Sequence, residues 1–275
     1  MLSLHTNAAS LSAQNALGST NKALSTSLTR LSTGFRVNSA MDDAAGLQIA
    51  TRLNAQTRGQ SVAMRNAQNG ISMLQTAEGA LEESTNILLR MKDLATEAAS
   101  DTASADDRTA MGAELTALQA ELTNIFNNTS FGGRTLFTGT EKLAATTTFQ
   151  IGASTAETLA LGTAVTVPTS FALAAAPAVT NATTANALIA TINTKIDDLG
   201  KFRSELGAVS NRLEHTYNNL GNMSINTEAA KGRIMDVDYA SESANMTTKQ
   251  MLMQAGTSML KQSSSMSQLA LSLLQ

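Results

Sequence analysis

The chain has 275 residues, with 22 Asp and Glu against 19 Lys and Arg, no Cys, no Trp, and only two each of Tyr, His and Pro. A formal net charge of −3 offers neither a basic field for nucleic acid nor a polybasic patch for a membrane. The missing thiol excludes disulfide scaffolds, thiolate metal sites and a cysteine nucleophile, and with aromatics at 3% the burial falls to Ala, Leu, Ile and Met, which suits close-packed helices.

The chain opens Met1-Leu2-Ser3-Leu4-His5-Thr6-Asn7, with no basic residue ahead of an apolar run, so no cleaved secretory signal is expected. Leu17, Leu24 and Leu31 then recur at seven, and Gly34 marks a break. Ser39 with Asp42 has the spacing of a capping box, in which a hydroxyl and a carboxylate satisfy orphan N–H groups of a first helical turn. Ala67, Leu74, Leu81, Leu88 and Ala95 recur at seven, with Ile71 four beyond the first. A period of 3.5 is the seam of helices that wind around one another. Ser104 with Asp107 repeats the capping spacing before Met111, Leu115, Leu118, Leu122 and Ile125, and Gly132-Gly133 marks the next break.

Between Leu143 and Thr194 the only charged residue is Glu157, and both prolines, Pro168 and Pro177, fall here. Segments such as Thr146-Thr147-Thr148-Phe149-Gln150-Ile151 predict short strands and turns. Helical spacing then returns with Ile192, Leu199, Leu206, Leu213 and Leu220, and closes with Leu252, Met259, Met266 and Leu273. No stretch approaches the roughly 20 apolar residues that cross a bilayer. The terminal series are separated mostly by Ser, Thr, Asn and Gln, modest helix formers that need packing partners. Both termini are therefore expected to order only against each other and against neighbouring subunits; the alternative is an ordinary bundle that includes its ends.

No constellation carries chemistry. His5 and His215 are far apart, no His-Glu-x-x-His is present, and no phosphate-binding glycine loop occurs. Asp42-Asp43 and Asp106-Asp107 read as caps rather than catalytic carboxylate pairs. The methionines from Met246 to Met266 read as adaptable packing rather than copper ligands. No cofactor and no catalytic residue is expected. What remains is a helical protein with apolar seams its own chain does not cover, and such seams must find another helix. Identical subunits meeting head to tail would generate an open helical polymer.

Arg30-Leu31-Ser32-Thr33-Gly34-Phe35-Arg36-Val37-Asn38-Ser39-Ala40-Met41-Asp42-Asp43-Ala44-Ala45-Gly46 resembles the N-terminal hallmark of bacterial flagellins. Arg65-Asn66-Ala67-Gln68-Asn69-Gly70-Ile71-Ser72 and Thr76-Ala77-Glu78-Gly79-Ala80-Leu81 follow in the family's order. So do Leu206-Gly207-Ala208-Val209-Ser210-Asn211-Arg212-Leu213, Asp238-Tyr239-Ala240, Gln254-Ala255-Gly256-Thr257 and Leu271-Ser272-Leu273-Leu274. The similarity covers about residues 1–137 and 186–275.

The resemblance implies a mainly α fold: an elongated coiled-coil and helical-bundle hairpin with a small β-hairpin insert, its terminal helices ordered on polymerisation. Residues 1–40 and 236–275 would form an inner terminal coiled coil, and 41–137 with 186–235 an outer helical bundle. Residues 138–185 would be a β-rich insert in place of the family's usual outer domains. The implied function is a structural subunit of the flagellar filament, used for swimming, with a hook–filament junction protein as the alternative. A flagellin-derived enzyme would need a larger, metal-binding insert. Leu17, Leu24, Leu31, Leu252, Met259, Met266 and Leu273 would be the polymerisation residues of the terminal coil.

The partners implied are copies of itself, an export chaperone on roughly Leu252–Leu274, the hook-associated junction and cap proteins, and the host Toll-like flagellin receptor. Arg90, Leu94 and Glu114 fit the receptor-contact pattern. Ala117 and Leu118 depart from it, standing where a polar residue and an Arg are expected; a Leu cannot supply the forked donor of an Arg. The family leaves the cell through the flagellar type III route without a cleaved signal peptide, which places the chain outside the cell in the filament.

Overall fold

The computed structural model describes residues 7–138, 143, 147–161, 170–171, 173 and 179–272, with 266–272 as backbone alone. The described residues are mainly helical: α1 (Ala8–Thr33), α2 (Ala44–Ala98), α3 (Ala105–Asn128), α4 (Ala182–Met235) and α5 (Tyr239–Ser272). Four short strands, β1 (Ser130–Phe131), β2 (Arg134–Thr135), β3 (Thr148–Gln150) and β4 (Thr158–Ala160), form two separate antiparallel hairpins. The chain divides into two compact units, one of residues 1–55 with 226–275 and one of residues 56–225.

In the second unit the heptad positions become the core. Ala67, Leu74, Leu81, Leu88 and Ala95 of α2, Leu115 and Leu122 of α3, and Ile192, Leu199, Leu206, Leu213 and Leu220 of α4 are all buried, and all but Leu220 belong to one hydrophobic cluster. Met111, Leu118 and Ile125 pack half-buried against that cluster. The few aromatics concentrate at one place. Phe126, Phe137, Phe171 and Phe202 pack in pairs with ring centroids 4.7–6.1 Å apart, within the range in which rings attract beyond simple burial. Two ion pairs tie the helices at their rims, Arg203 to Glu78 and Arg90 to Glu114.

The hairpins explain two sequence features. Gly132 and Gly133, at φ +60° and +85°, form the two-residue turn that pairs Phe131 with Arg134 and Ser130 with Thr135. Both positions need positive φ, and glycine supplies it without steric cost. This hairpin falls before residue 138, so strand structure begins ahead of the insert boundary drawn from the sequence, and α4 starts at Ala182, ahead of its end. β3 pairs with β4 in the register Phe149 to Leu159. Phe149 lies over α2 at Gly70, where a Cβ would stand 3.0 Å from the Phe149 ring and 3.1 Å from Leu213. Asn66 donates to the Gln150 carbonyl at 3.2 Å, fixing the same hairpin to α2.

The two capping sequences behave differently. Ser104 and Asp107 form the complete reciprocal box at the start of α3. At Ser39 and Asp42 the sequence expectation is corrected. The Asp42 carboxylate does accept from the Ser39 N–H at 2.9 Å, but the Ser39 hydroxyl donates to that carboxylate instead of accepting from the chain. The pair closes a turn, and α2 begins later under Asp43, whose Oδ1 accepts the Gly46 N–H at 2.7 Å.

Candidate assembly surface

In the first unit α1 and α5 lie antiparallel along one another. Asn7 sets one end: its Oδ1 accepts the Ser10 N–H as the cap of α1, and its Nδ2 donates to the Ser263 carbonyl and hydroxyl, each at 3.1 Å. Gly34 sets the other. It closes α1 at φ +75°, donates to the Arg30 carbonyl, and lies so close to Tyr239 that a Cβ would stand 3.0 Å from the phenol oxygen.

Between these ends the less exposed residues of α1 include Ser10, Ala13, Leu17, Thr20, Leu24, Ser27 and Leu31, stepping by three and four, with Ala23 and Arg30 beside them. On α5 they are Glu242, Met246, Lys249, Met253, Gly256, Leu260 and Ser263. This is a coiled-coil seam, with an unusual content of small and polar residues. Gly256 leaves room for Leu17, whose Cδ1 would be 3.2 Å from a Cβ there. Glu242 is buried at the seam, and the Arg30 guanidinium reaches it at 3.8 Å and Asp42 at 3.9 Å.

Beyond Gly34 the connectors brace one another. The Arg36 N–H donates to the Met235 carbonyl and the Val237 N–H to the Gly34 carbonyl, forming the bridge between Phe35 and Asp236. Arg36 Nη2 also donates to the Ile234 carbonyl at 2.7 Å. Asp238 starts α5 by accepting from the Ala240 N–H and the Ser241 hydroxyl. Its carboxyl is held below the ordinary value, first by the Ser241 hydroxyl and then by backbone N–H groups. Asp42 is likewise held low, chiefly by the Ser39 and Asn38 N–H groups.

The structure separates the predicted polymerisation residues. Leu17, Leu24 and Leu31 lie on the seam against α5. Leu252 and Met259 do not; they are 56% and 67% exposed. The side chain of Met266 and the whole of Leu273 lie outside the described residues. The heptad that does enter the seam is Met246, Met253 and Leu260, shifted by one from the series read in the sequence. Its signal, three apolar residues at seven, was present but stood among polar partners. Leu11 (62%) and Leu28 (49%) of α1 and Met251 (58%) of α5 are exposed as well. A pair of helices can bury one face of each member, and here much apolar surface remains outside the pair.

The predicted receptor residues are also divided. Arg90 and Glu114 are exposed and ion-paired at 2.8 Å, a contact that holds the Arg90 guanidinium above its ordinary value. Leu94 is buried in the helical core, which withdraws its side chain from any surface contact. Among the described residues no three His, Cys, Asp or Glu are grouped to hold a metal, and no helix is long and apolar enough to cross a membrane.

The first and last helices of this mainly helical chain thus form a coil with large apolar side chains left on its outer side. Residues 4–142 match the bacterial flagellin N-terminal helical region and residues 189–274 the bacterial flagellin C-terminal helical region. The chain belongs to the bacterial flagellin family. It is 36% identical to flagellin A of Vibrio anguillarum over 380 aligned positions covering all of both chains, so that relative carries segments this chain lacks. It is 41% identical to a flagellin of Halalkalibacterium halodurans over 246 positions, 89% of each chain. A solved structure assigned to the flagellar hook-associated proteins of Vibrio parahaemolyticus covers 71% of this chain and 100% of its own at a TM-score of 0.57; at 15% identity the likeness concerns the fold alone.

Proposed function

We infer that this chain is a structural subunit that polymerises into the bacterial flagellar filament and serves swimming motility. The observation that carries the reading is the α1–α5 coil, which buries one face of each helix and leaves Leu11, Leu28, Met251, Leu252 and Met259 open. Large apolar side chains left open along both helices of one coil offer an interaction surface, and in the filament copies of the same chain would cover them. The inner domain would then comprise residues 1–40 and 236–275, the outer bundle 41–137 with 186–235, and the insert 138–185. The role is structural rather than catalytic.

The same exposed face gives the further partners a physical basis. Before assembly, a chaperone covering the C-terminal helix from Leu252 onward would shield the apolar groups that otherwise associate early. Export through the flagellar type III channel suits helices whose pairing rests on few large side chains. Junction and cap proteins would meet the same coil at the two ends of the polymer. Recognition by the host Toll-like receptor would use Arg90 and Glu114 on the bundle surface, without the Leu94 side chain.

The test is a double substitution, Leu252→Asp with Met259→Asp. Both side chains face solvent in the single subunit, so its helix content and melting should stay near those of the parent. Assembly should fail, because two carboxylates would have to be desolvated at the contact. Seeded sedimentation with circular dichroism reads both quantities; a double variant that pellets like the parent would refute the assignment.

A further inference from the structure

Sulfur in this chain is confined to 13 methionines, since there is no Cys. Among the described side chains they differ sharply in access. Met73 and Met91 are closed inside the bundle core, and Met246 and Met253 are half-buried along the seam. Met41 is 97% exposed, Met251 58% and Met259 67%. Two of these open thioethers, Met251 and Met259, flank Leu252 on the exposed side of α5, the surface assigned above to subunit contacts.

We propose that Met251 and Met259 form an oxidation-sensitive modification site, taken by two-electron oxidants of the peroxide class, and that their sulfoxides block polymerisation while leaving the single subunit folded. The inference rests on the filament reading. In the step a sulfur lone pair attacks one peroxide oxygen; the S–O bond forms as the O–O bond breaks. The sulfur loses two electrons, and the other oxygen leaves, after proton transfer, as water. No thiol competes for the oxidant, and exposure favours these sulfurs over those in the core. The product carries a polar, chiral S–O group in place of an adaptable apolar chain. On a solvent-facing helix surface that change costs the monomer little. At a contact that must shed water it leaves a polar group without a partner. Once assembled, the same contact would shield the sulfurs, so the sensitivity belongs to the unassembled subunit.

The experiment treats purified full-length chain with hydrogen peroxide, maps each methionine by peptide mass, and measures the critical concentration for seeded sedimentation. The parent, a Met41→Leu variant and a Met251→Leu/Met259→Leu variant are each compared with their own untreated sample. The critical concentration should rise about tenfold or more for the parent and for Met41→Leu, and by less than about twofold for the double variant. Circular dichroism of the oxidised parent should keep its helical signal. Undiminished sedimentation of a parent carrying both sulfoxides overturns the proposal, as does an equal loss in the double variant. If untreated parent never sediments, the filament reading itself falls and takes this one with it, an outcome visible before any oxidant is added.

Discussion

Gly34 sits where α1 must end and its chain turn toward the start of α5. Its φ of +75° lies in the left-handed region, and the Tyr239 hydroxyl crowds the place a Cβ would occupy. Gly34→Ala should therefore cost roughly 1–2 kcal/mol in thermal denaturation, from backbone strain alone. Three carboxylates near helix starts also titrate low: Asp42, Asp107 through the Ser104 hydroxyl first, and Asp238. Unfolding returns each toward 3.8, so their contribution is complete above that value and fades as pH falls through it toward the lower folded value. An acid titration of helix content should show this loss below the ordinary aspartate range, and Asp238→Asn should make it shallower. Separately, Ser104→Ala should remove about 0.5–2 kcal/mol, because it breaks the capping box of α3. A melting curve unchanged by that substitution would contradict the capping role.

Among the elements, α2 and α4 were legible in the sequence because each heptad position is apolar and each became core, from Ala67 to Ala95 and from Ile192 to Leu220. α5 was only half legible. Its seam alternates Met246, Met253 and Leu260 with Glu242, Lys249, Gly256 and Ser263, so the apolar rule selected the more conspicuous Leu252 and Met259, which lie outside it. A heptad rule ranks residues by hydrophobicity, whereas this seam also seats a glycine beneath Leu17 and a carboxylate beside Arg30. The first hairpin was marked only as a break, although Gly132-Gly133 carries the turn chemistry that dictates it. The Leu94 receptor assignment followed a motif, but the same residue lies on the core side of α2. A seam with so little large apolar content should open readily. Amide hydrogen exchange should show α1 and α5 exchanging faster than residues 67–95 of α2, and assembly should slow α1 and α5 most. Equal protection of all these helices in the free subunit would contradict this.

At the scale of the whole molecule, two kinds of surface are set apart. The bundle core buries Leu, Ile and Phe side chains of α2, α3, α4 and the segment between α3 and α4 in one cluster. The terminal coil leaves Leu11, Leu28, Met251, Leu252 and Met259 outside its seam, where another chain could cover them. Membership of the flagellin family names that other chain as a copy of itself. A contact between different faces of successive copies would propagate without closing. The most direct measurement is electron microscopy of the purified chain, concentrated and seeded with its own fragments. Long helical filaments of uniform diameter growing from the seeds are expected. A field of single subunits, unchanged by concentration or by seeds, would contradict the account at its centre.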